Sequence, residues 1–292
     1  METMNSRKLT EAEFKAFCNL LNDEEGRTLT RLTSEFKTLI DEEPKWKTWL
    51  TTQESITANH RAFQILEEMR WDEIGKKLTR LLEREGKNIH LEEALGLLAS
   101  FPNGLFKPDE ISEPLNRMAT ELRTAIREAA DVDMVIKIFR QYLFKTQGFH
   151  GNISNYYDPD NTYLNKVLDR KIGIPISLSC VCILLAERLV WRDKPIPVFG
   201  VGLPSHFIVQ FRFFEKQIYL DPFNRGKLLT KKDCMDLLRS QDIGFQDSYL
   251  RPVNNLTILS RSISNLVYVY NDLGNEKLRD QLLKYLQIFQ NE

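Results

Sequence analysis

The sequence predicts a mostly helical α+β protein in which one helix packs on a small antiparallel sheet, between helical segments at both ends. Three observations support this prediction. Apolar residues recur at helical spacing through most of the first 146 residues and again after residue 255. An almost wholly apolar segment begins at Pro175. Three short runs rich in β-branched and aromatic residues follow it, at 198–201, 207–213 and 217–220.

Residues 1–86 are expected to form a helical module. Apolar positions follow the helical period over 11–21, 29–40 and 62–82. The interruptions at Glu43-Pro44 and at 51–57 are typical of loops. No regular internal period is present, so the sequence does not predict a solenoid.

Residues 87–250 are expected to form the central domain. It begins with three helices and continues through a loop rich in Gly, Asn, Asp and Pro that starts at Gly148. The next helix, 162–170, is expected to be capped by Asn161 or Thr162. Pro175 suits the first turn of the apolar helix, which is expected to end near Leu189.

The last part of the chain is expected to be helical again. Thr230 is the predicted cap of a helix over 231–239. Residues 251–292 form a third segment, in which two amphipathic stretches are separated by Leu273-Gly274-Asn275. The pair is similar to one tetratricopeptide-like hairpin, and one hairpin alone does not indicate a repeat array.

Composition and charge exclude several classes of partner. The 292 residues are 42% hydrophobic and 28% charged, as in a globular protein. The 40 basic and 41 acidic residues give a formal net charge of -1, so neither nucleic acid nor a membrane surface is an expected partner. Residues 1–8 lack the apolar core of a signal peptide, and no run reaches the ~18 apolar residues of a membrane span. The four cysteines have neither metal-ligand nor redox-pair spacing. We therefore expect a cytoplasmic protein with reduced thiols, no metal and no cofactor; the sequence leaves the oligomeric state open.

His206 and Asp221 are the first candidate site residues. His206 opens the second strand-like run and Asp221 ends the third. Neighbouring antiparallel strands would set the imidazole beside the carboxylate, a pair that orients a base for nucleophilic chemistry. The candidate nucleophiles are Ser177, in the first turn of the apolar helix, and Cys180, one turn later. Ser177 can equally satisfy backbone groups at the helix start, and Cys180 can equally be a packed, inert thiol.

Residues 89–240 resemble the transglutaminase-like, papain-like superfamily. More narrowly, they resemble the branch that includes the bacterial SirB protein and a segment of some eukaryotic F-box proteins. The resemblance rests on several strings taken together, including Gly173-Ile-Pro-Ile-Ser-Leu-Ser, Gly202-Leu-Pro-Ser-His-Phe and Leu220-Asp-Pro-Phe-Asn-Arg-Gly. The hairpin strings Ile258-Leu-Ser-Arg and Asn265-Leu also look like that branch.

The resemblance implies a papain/transglutaminase-like core and a candidate cleft. In active members the helix begins with Cys, and Ser177 lies near that position, so the site is expected to be degenerate. The resemblance also suggests binding residues: Asn161, Tyr163, Arg170 and Asn224. The first three can instead pin the preceding loop to its helix.

Three functional hypotheses remain at this stage. The first and preferred one is a non-catalytic domain that binds a protein or peptide. The second is an acyl-transfer enzyme, a peptidase, amidase or transglutaminase-like protein, with Ser177 or Cys180 as nucleophile, His206 as base and Asp221 as orienter. The third is a structural scaffold whose cleft is closed by side chains.

Overall fold

The structure is a computed structural model that describes residues 9–52, 60–104, 106–214 and 216–290. The chain divides into two compact units, Met1–Glu73 and Ile74–Glu292. The division falls inside one helix, whereas the sequence analysis placed its first boundary after residue 86.

The first unit is helical. Its helices are α1 (Glu11–Asp23), α2 (Gly26–Glu42), α3 (Lys45–Thr52) and the start of α4 (His60–Glu85). Its core combines aromatic and aliphatic side chains, with the rings of Phe14 and Trp46 stacked 4.4 Å apart between centroids. The predicted loop at 51–57 begins with two helical residues, and its remainder, 53–57, lies outside the described residues.

The second unit contains the other helices of the described chain. They are α5 (Leu91–Ala99), α6 (Ser112–Arg127), α7 (Val132–Gln141), α8 (Leu164–Arg170), α9 (Pro175–Ala186), α10 (Lys231–Arg239), α11 (Asn255–Asp272) and α12 (Glu276–Gln290). Thr230 caps α10 as predicted, because its hydroxyl accepts a hydrogen bond from the Asp233 amide.

Two predicted helix ends are wrong. The residue that precedes α8 is Tyr163, because the Asn161 side chain is used in hydrogen bonds to the preceding loop. Helix α9 ends at Ala186 instead of near Leu189. There the Leu189 amide donates to the Ala186 carbonyl and turns the chain into the next strand.

The main sheet has four antiparallel strands in the order of the chain. They are β5 (Val198–Val201), β6 (Ile208–Phe213), β7 (Lys216–Asp221) and β8 (Lys227–Leu229). The first three were predicted, and β8 was missed. Two short pairs complete the strands: β1 (His150–Gly151) with β2 (Ile172–Gly173), and β3 (Val190–Trp191) with β4 (Lys194–Pro195).

Helix α9 forms the centre of the second unit. All 12 of its residues are buried, as expected for a helix that is apolar on every side. It packs against β5 and β6 and against the helices α6, α8 and α11. Each buried Leu, Ile or Val contributes about 1.5–3 kcal/mol of transfer free energy. This helix-on-sheet arrangement fixes the N-terminal end of α9 relative to the strand ends.

The C-terminal hairpin of α11 and α12 is joined to the sheet by its lead-in segment. The Val253 amide donates to the Gly200 carbonyl at 2.9 Å, and Pro252 bridges Val201. Helix α11 also contacts α9 directly. Among the described residues, no helix has the length and apolar character required to cross a membrane.

Candidate functional site

The ends of β6 and β7 bring His206 and Asp221 together. The Val209–Leu220 register places Asp221, the last residue of β7, beside the start of β6. The preceding turn, in which Ser205 has φ of 58°, brings His206 to the same place. The His206 Nε2 atom lies 2.9 Å from Asp221 Oδ2. Both side chains are largely buried, with 10% and 2% exposed.

Asp221 is held as a carboxylate. Its Oδ1 accepts a hydrogen bond from the Asn224 amide at 3.2 Å, and its Oδ2 accepts one from Asn224 Nδ2 at 2.7 Å. Burial raises the pKa of Asp221, but the hydrogen bonds and charge of His206 and the donors of Asn224 lower it by more, so the net pKa is depressed. A carboxylate only accepts hydrogen bonds, so Nε2 of His206 is the donor in this contact.

The Ser177 hydroxyl bonds to backbone groups and not to this pair. The hydroxyl is buried and donates to the Asn161 carbonyl at 2.6 Å, with the Ile174 carbonyl at 3.1 Å. It also accepts from the Ile174 amide at 3.1 Å. The single hydroxyl proton is therefore used on backbone carbonyls at the start of α9.

Cys180 is 1% exposed. Burial, and to a smaller extent the charge of Glu187, raise the pKa of its thiol far above the ordinary value. A thiol in this state is neutral at physiological pH and a poor nucleophile.

A pocket of about 190 Å³ lies beside His206. Helix α9 contributes Pro175 and Ile176 to its wall, and neither of these two side chains carries a nucleophilic group. The other lining residues are Tyr156, Ser205, Phe207, Arg261, Ser264 and Asn265. A larger pocket of about 650 Å³, lined partly by α6 and α8, contains neither His206 nor Asp221.

The four predicted binding residues have different positions. Asn224 contacts Asp221 directly, as described above. Asn161 is buried and receives a hydrogen bond from Asn152, while its own amide donates to the loop carbonyls of Asn155 and Tyr156. Its side chain therefore organises the loop and does not line the pocket beside His206.

Tyr163 and Arg170 are also outside this pocket. The Tyr163 hydroxyl lies 2.9 Å from the hydroxyl of Tyr270. Arg170 forms ion pairs with Asp158 at 2.9 Å and with Asp160 at 3.6 Å. The Arg170 ion pairs join the loop before α8 to that helix, and the Tyr163 contact joins the start of α8 to α11.

Sequence reasoning missed the contribution of α11 to the pocket. Arg261, Ser264 and Asn265 all lie on this helix. The signal was present in the strings Ile258-Leu-Ser-Arg and Asn265-Leu, which carried the resemblance but were not connected with the site. The Arg261 Nη2 atom donates to the carbonyls of Leu203 and His206, both at 3.0 Å, and so supports the turn that presents the imidazole.

A row of aromatic rings extends from His206 toward the surface. The successive centroid distances are 6.4 Å from His206 to Phe223, 5.9 Å to Tyr156, 5.3 Å to Tyr157 and 5.3 Å to Tyr268. Tyr157 and Tyr268 are 51% and 57% exposed. The row connects the pocket with an open aromatic surface.

Within the described ranges, no three His, Cys, Asp or Glu side chains come close enough to hold a metal ion.

Comparison with known proteins identifies relatives of the central region. Residues 109–264, more than half of the chain, match the transglutaminase-like superfamily. A UPF0162 protein of Xylella fastidiosa is 32% identical over 192 residues, which cover 57% of this chain and 66% of that protein. Human F-box only protein 21 is 30% identical over 210 residues, which cover 68% of this chain and 30% of that protein. A UPF0162 protein of Vibrio cholerae is 27% identical over 156 residues, which cover 52% of this chain and 56% of that protein.

The chain thus spans just under two thirds of the Xylella relative and less than one third of the F-box protein. No solved structure matches the chain. The match over 109–264 includes the apolar helix, the sheet, and the His206–Asp221 pair. The chain belongs to the transglutaminase-like superfamily.

Proposed function

We propose that this protein is a peptide-binding module built on the transglutaminase-like fold, of the SirB-like branch, and that Ser177 and Cys180 do not act as nucleophiles. One observation carries the proposal: the His206 pocket is bounded on the α9 side by Pro175 and Ile176. Neither Ser177 nor Cys180 lines this pocket, and the oriented imidazole still offers a hydrogen-bonding group at its edge.

Acyl transfer would need a different arrangement. A nucleophile must come within hydrogen-bonding reach of its base, about 2.6–3.2 Å. The Ser177 hydroxyl is engaged with Asn161, and the Cys180 thiol is buried and neutral. Both candidate nucleophiles are thus held in structural roles.

The aromatic row supports a peptide as the occupant. Tyrosine supplies a large contact area and a hydroxyl while losing little conformational entropy on binding. Tyr157 and Tyr268 are exposed, and their row ends at the pocket. An extended peptide could lie along the tyrosines and place one group beside His206.

Selection of peptides from a random display library on the full chain tests the proposal. The diagnostic variant is Ser264→Trp, which fills the pocket from the exposed face of α11. The matched control is Thr120→Trp on α6, because both residues are exposed and both hydroxyls donate to the carbonyl four residues earlier. Selected peptides should lose binding to Ser264→Trp and keep it with Thr120→Trp. Equal binding to both variants would place peptide recognition elsewhere.

The enzyme hypothesis has its own test. We expect that the native protein resists both a fluorophosphonate and a thiol-directed acylating probe under conditions that label control hydrolases. Labelling of Ser177 or Cys180, located by peptide mass spectrometry, would overturn the non-catalytic assignment.

A further inference from the structure

Arg261 is a half-buried cation at the pocket. Among the described residues no carboxylate lies within ion-pair distance of it, and its hydrogen bonds are those from Nη2 to the Leu203 and His206 carbonyls. Its Nε and Nη1 atoms have no acceptor in that part of the chain. By contrast, the partly buried Arg188 and Arg170 each face a carboxylate, Glu92 and Asp158 respectively. The guanidinium lies over the Phe207 ring, 5.2 Å from its centroid, but a partly desolvated cation that has no anion still favours an external one.

The surroundings of Arg261 are electropositive or neutral. No Asp or Glu lines the pocket beside His206. A neighbouring pocket of about 370 Å³ shares Arg261 and Ser264, adds Lys87, and also has no acidic lining residue. The carboxylate of the His206–Asp221 pair is already bound by His206 and Asn224. Burial lowers the pKa of Arg261, and no neighbouring carboxylate is among the groups that act on it.

The pocket also has hydrogen-bond donors and an apolar wall. Tyr156 and Asn265 supply hydroxyl and amide groups, and Ile176 and Phe207 supply apolar surface. Ile176 lies in the first turn of α9, where the positive end of the helix dipole favours an anion. The volume of about 190 Å³ suits one chemical group with a short side chain and not a whole drug-sized ligand.

We infer that Arg261 is a specificity residue that holds a carboxylate of the bound peptide in the pocket beside His206. The inference rests on the proposed peptide-binding function and names the chemistry of one group of the peptide. Two N–H groups of a guanidinium match the two oxygens of a carboxylate. The carboxylate comes from the C-terminus of the peptide or from an Asp or Glu side chain.

Three small probes separate these sources in ligand-observed NMR titrations of the full chain. N-acetylleucine carries a terminal carboxylate, N-acetylleucinamide carries none, and N-acetylaspartic α-amide carries only a side-chain carboxylate. We expect one or both acids to bind at least about tenfold more tightly than the neutral amide. Preference for N-acetylleucine identifies the C-terminus, and preference for the aspartic amide identifies an acidic side chain.

Two variants connect this preference with Arg261. In Arg261→Gln the acids should bind as weakly as the neutral amide. In Gly202→Ala a Cβ would lie 2.5 Å from Nη1 of Arg261, so the guanidinium must move, whereas Cγ1 of Val253 would be at an ordinary contact distance of 3.5 Å. This variant should bind both acidic probes several-fold more weakly than the wild type, and its midpoint of thermal unfolding should stay close to that of the wild type. Arg239→Gln, which removes an exposed positive charge on α10, is the control for net charge and should bind like the wild type.

Several results would overturn the inference. These are equal binding of acid and amide, unchanged acid binding in Arg261→Gln, or no binding of any probe at millimolar concentration. They are distinguishable from failure of the proposed function. If displayed peptides fail to bind Ser264→Trp but bind Arg261→Gln normally, the proposed peptide-binding function is supported. The proposed role of Arg261 in holding a carboxylate is then excluded.

Discussion

Ser177 and Ser179 lie two residues apart in α9, and both are buried. The Ser177 hydroxyl joins Asn161 to Ile174, whereas the Ser179 hydroxyl has no hydrogen-bond partner among the described residues. The two hydroxyls should therefore contribute differently to the free energy of unfolding, although both serines are buried in the same helix.

Replacing each serine by alanine should separate the two cases. We expect Ser177→Ala to lower the free energy of unfolding by about 1–3 kcal/mol, because the Asn161 carbonyl and the Ile174 amide lose a partner. Ser179→Ala should be neutral or slightly stabilising, because it removes a desolvated group that gains nothing in return. Urea denaturation of both variants measures the difference. Equal losses would contradict the assigned role of Ser177.

Asp221 should make stability depend on pH in the acid range. Its pKa is lower in the folded protein than the ordinary 3.8, so folding favours the charged form. The ionised Asp221 therefore adds to the free energy of unfolding. This stabilisation is complete where the carboxyl of the unfolded chain is ionised, above about pH 4, and is lost as pH falls through the lower folded-state pKa.

Asp221→Asn tests this dependence. At neutral pH we expect the variant to be less stable than the wild type by about 1–3 kcal/mol. Below about pH 4 the difference in unfolding free energy between variant and wild type should decrease as the wild-type carboxyl takes up its proton. Urea titrations at a series of pH values give the curve, with Asp236→Asn on the exposed face of α10 as the control. A gap that is independent of pH would mean that Asp221 is not stabilised as a carboxylate.

At the scale of elements, the spacing of apolar residues along the chain was sufficient to predict most helices and strands. The helices of both units and the strands β5, β6 and β7 are long enough to show their period. Strand β8 has only three residues, Lys227–Leu229, which is too short for an alternation to be visible. The start of α8 was misjudged because Asn161, a good local cap, is used by the loop before it.

The site was predictable only in part, for a related reason. His206 and Asp221 could be paired because strand ends have a fixed neighbour. Helix α9 is apolar on all sides, so no amphipathic pattern tells which of its faces meets the imidazole. Arg261 lies 55 residues beyond His206 in the chain, and only the folded structure shows that they meet.

The loop between β1 and α8 depends on Asn161. Three side-chain hydrogen bonds join it to Asn152, Asn155 and Tyr156. We expect Asn161→Ala to lower the free energy of unfolding by about 2–4 kcal/mol and to speed amide exchange over 152–161. Hydrogen exchange with mass spectrometry measures both effects, and the exposed Asn155→Ala is the control. Slow exchange in Asn161→Ala would show that other contacts order the loop.

At the scale of the whole molecule, each unit has its own apolar core. Phe36 belongs to the core of the first unit, and Phe211 is buried in the main sheet of the second. Separate cores favour separate cooperative transitions.

Calorimetry of two variants, each with one large side chain replaced by alanine in one of the two cores, tests whether the units unfold separately. Phe36→Ala should lower the transition of the first unit and Phe211→Ala that of the second, each by about 3–5 kcal/mol of unfolding free energy. Binding of the N-acetylated probes should be kept in Phe36→Ala, because all residues of the pocket belong to the second unit. A single transition lowered by both substitutions would show that the chain unfolds as one body.

Helix α11 is attached to the turn before β6, so two separate segments of the chain form the candidate site. The oriented imidazole comes from the sheet, whereas the cation and two polar neighbours come from residues after 250. A chimera that receives residues 251–292 from a relative would keep the His206–Asp221 pair and acquire the ligand preference of the donor. Under the proposed function, residues 251–292 thus supply part of the ligand specificity, and a chain truncated before them would also lose the Arg261 hydrogen bonds that support the turn presenting His206.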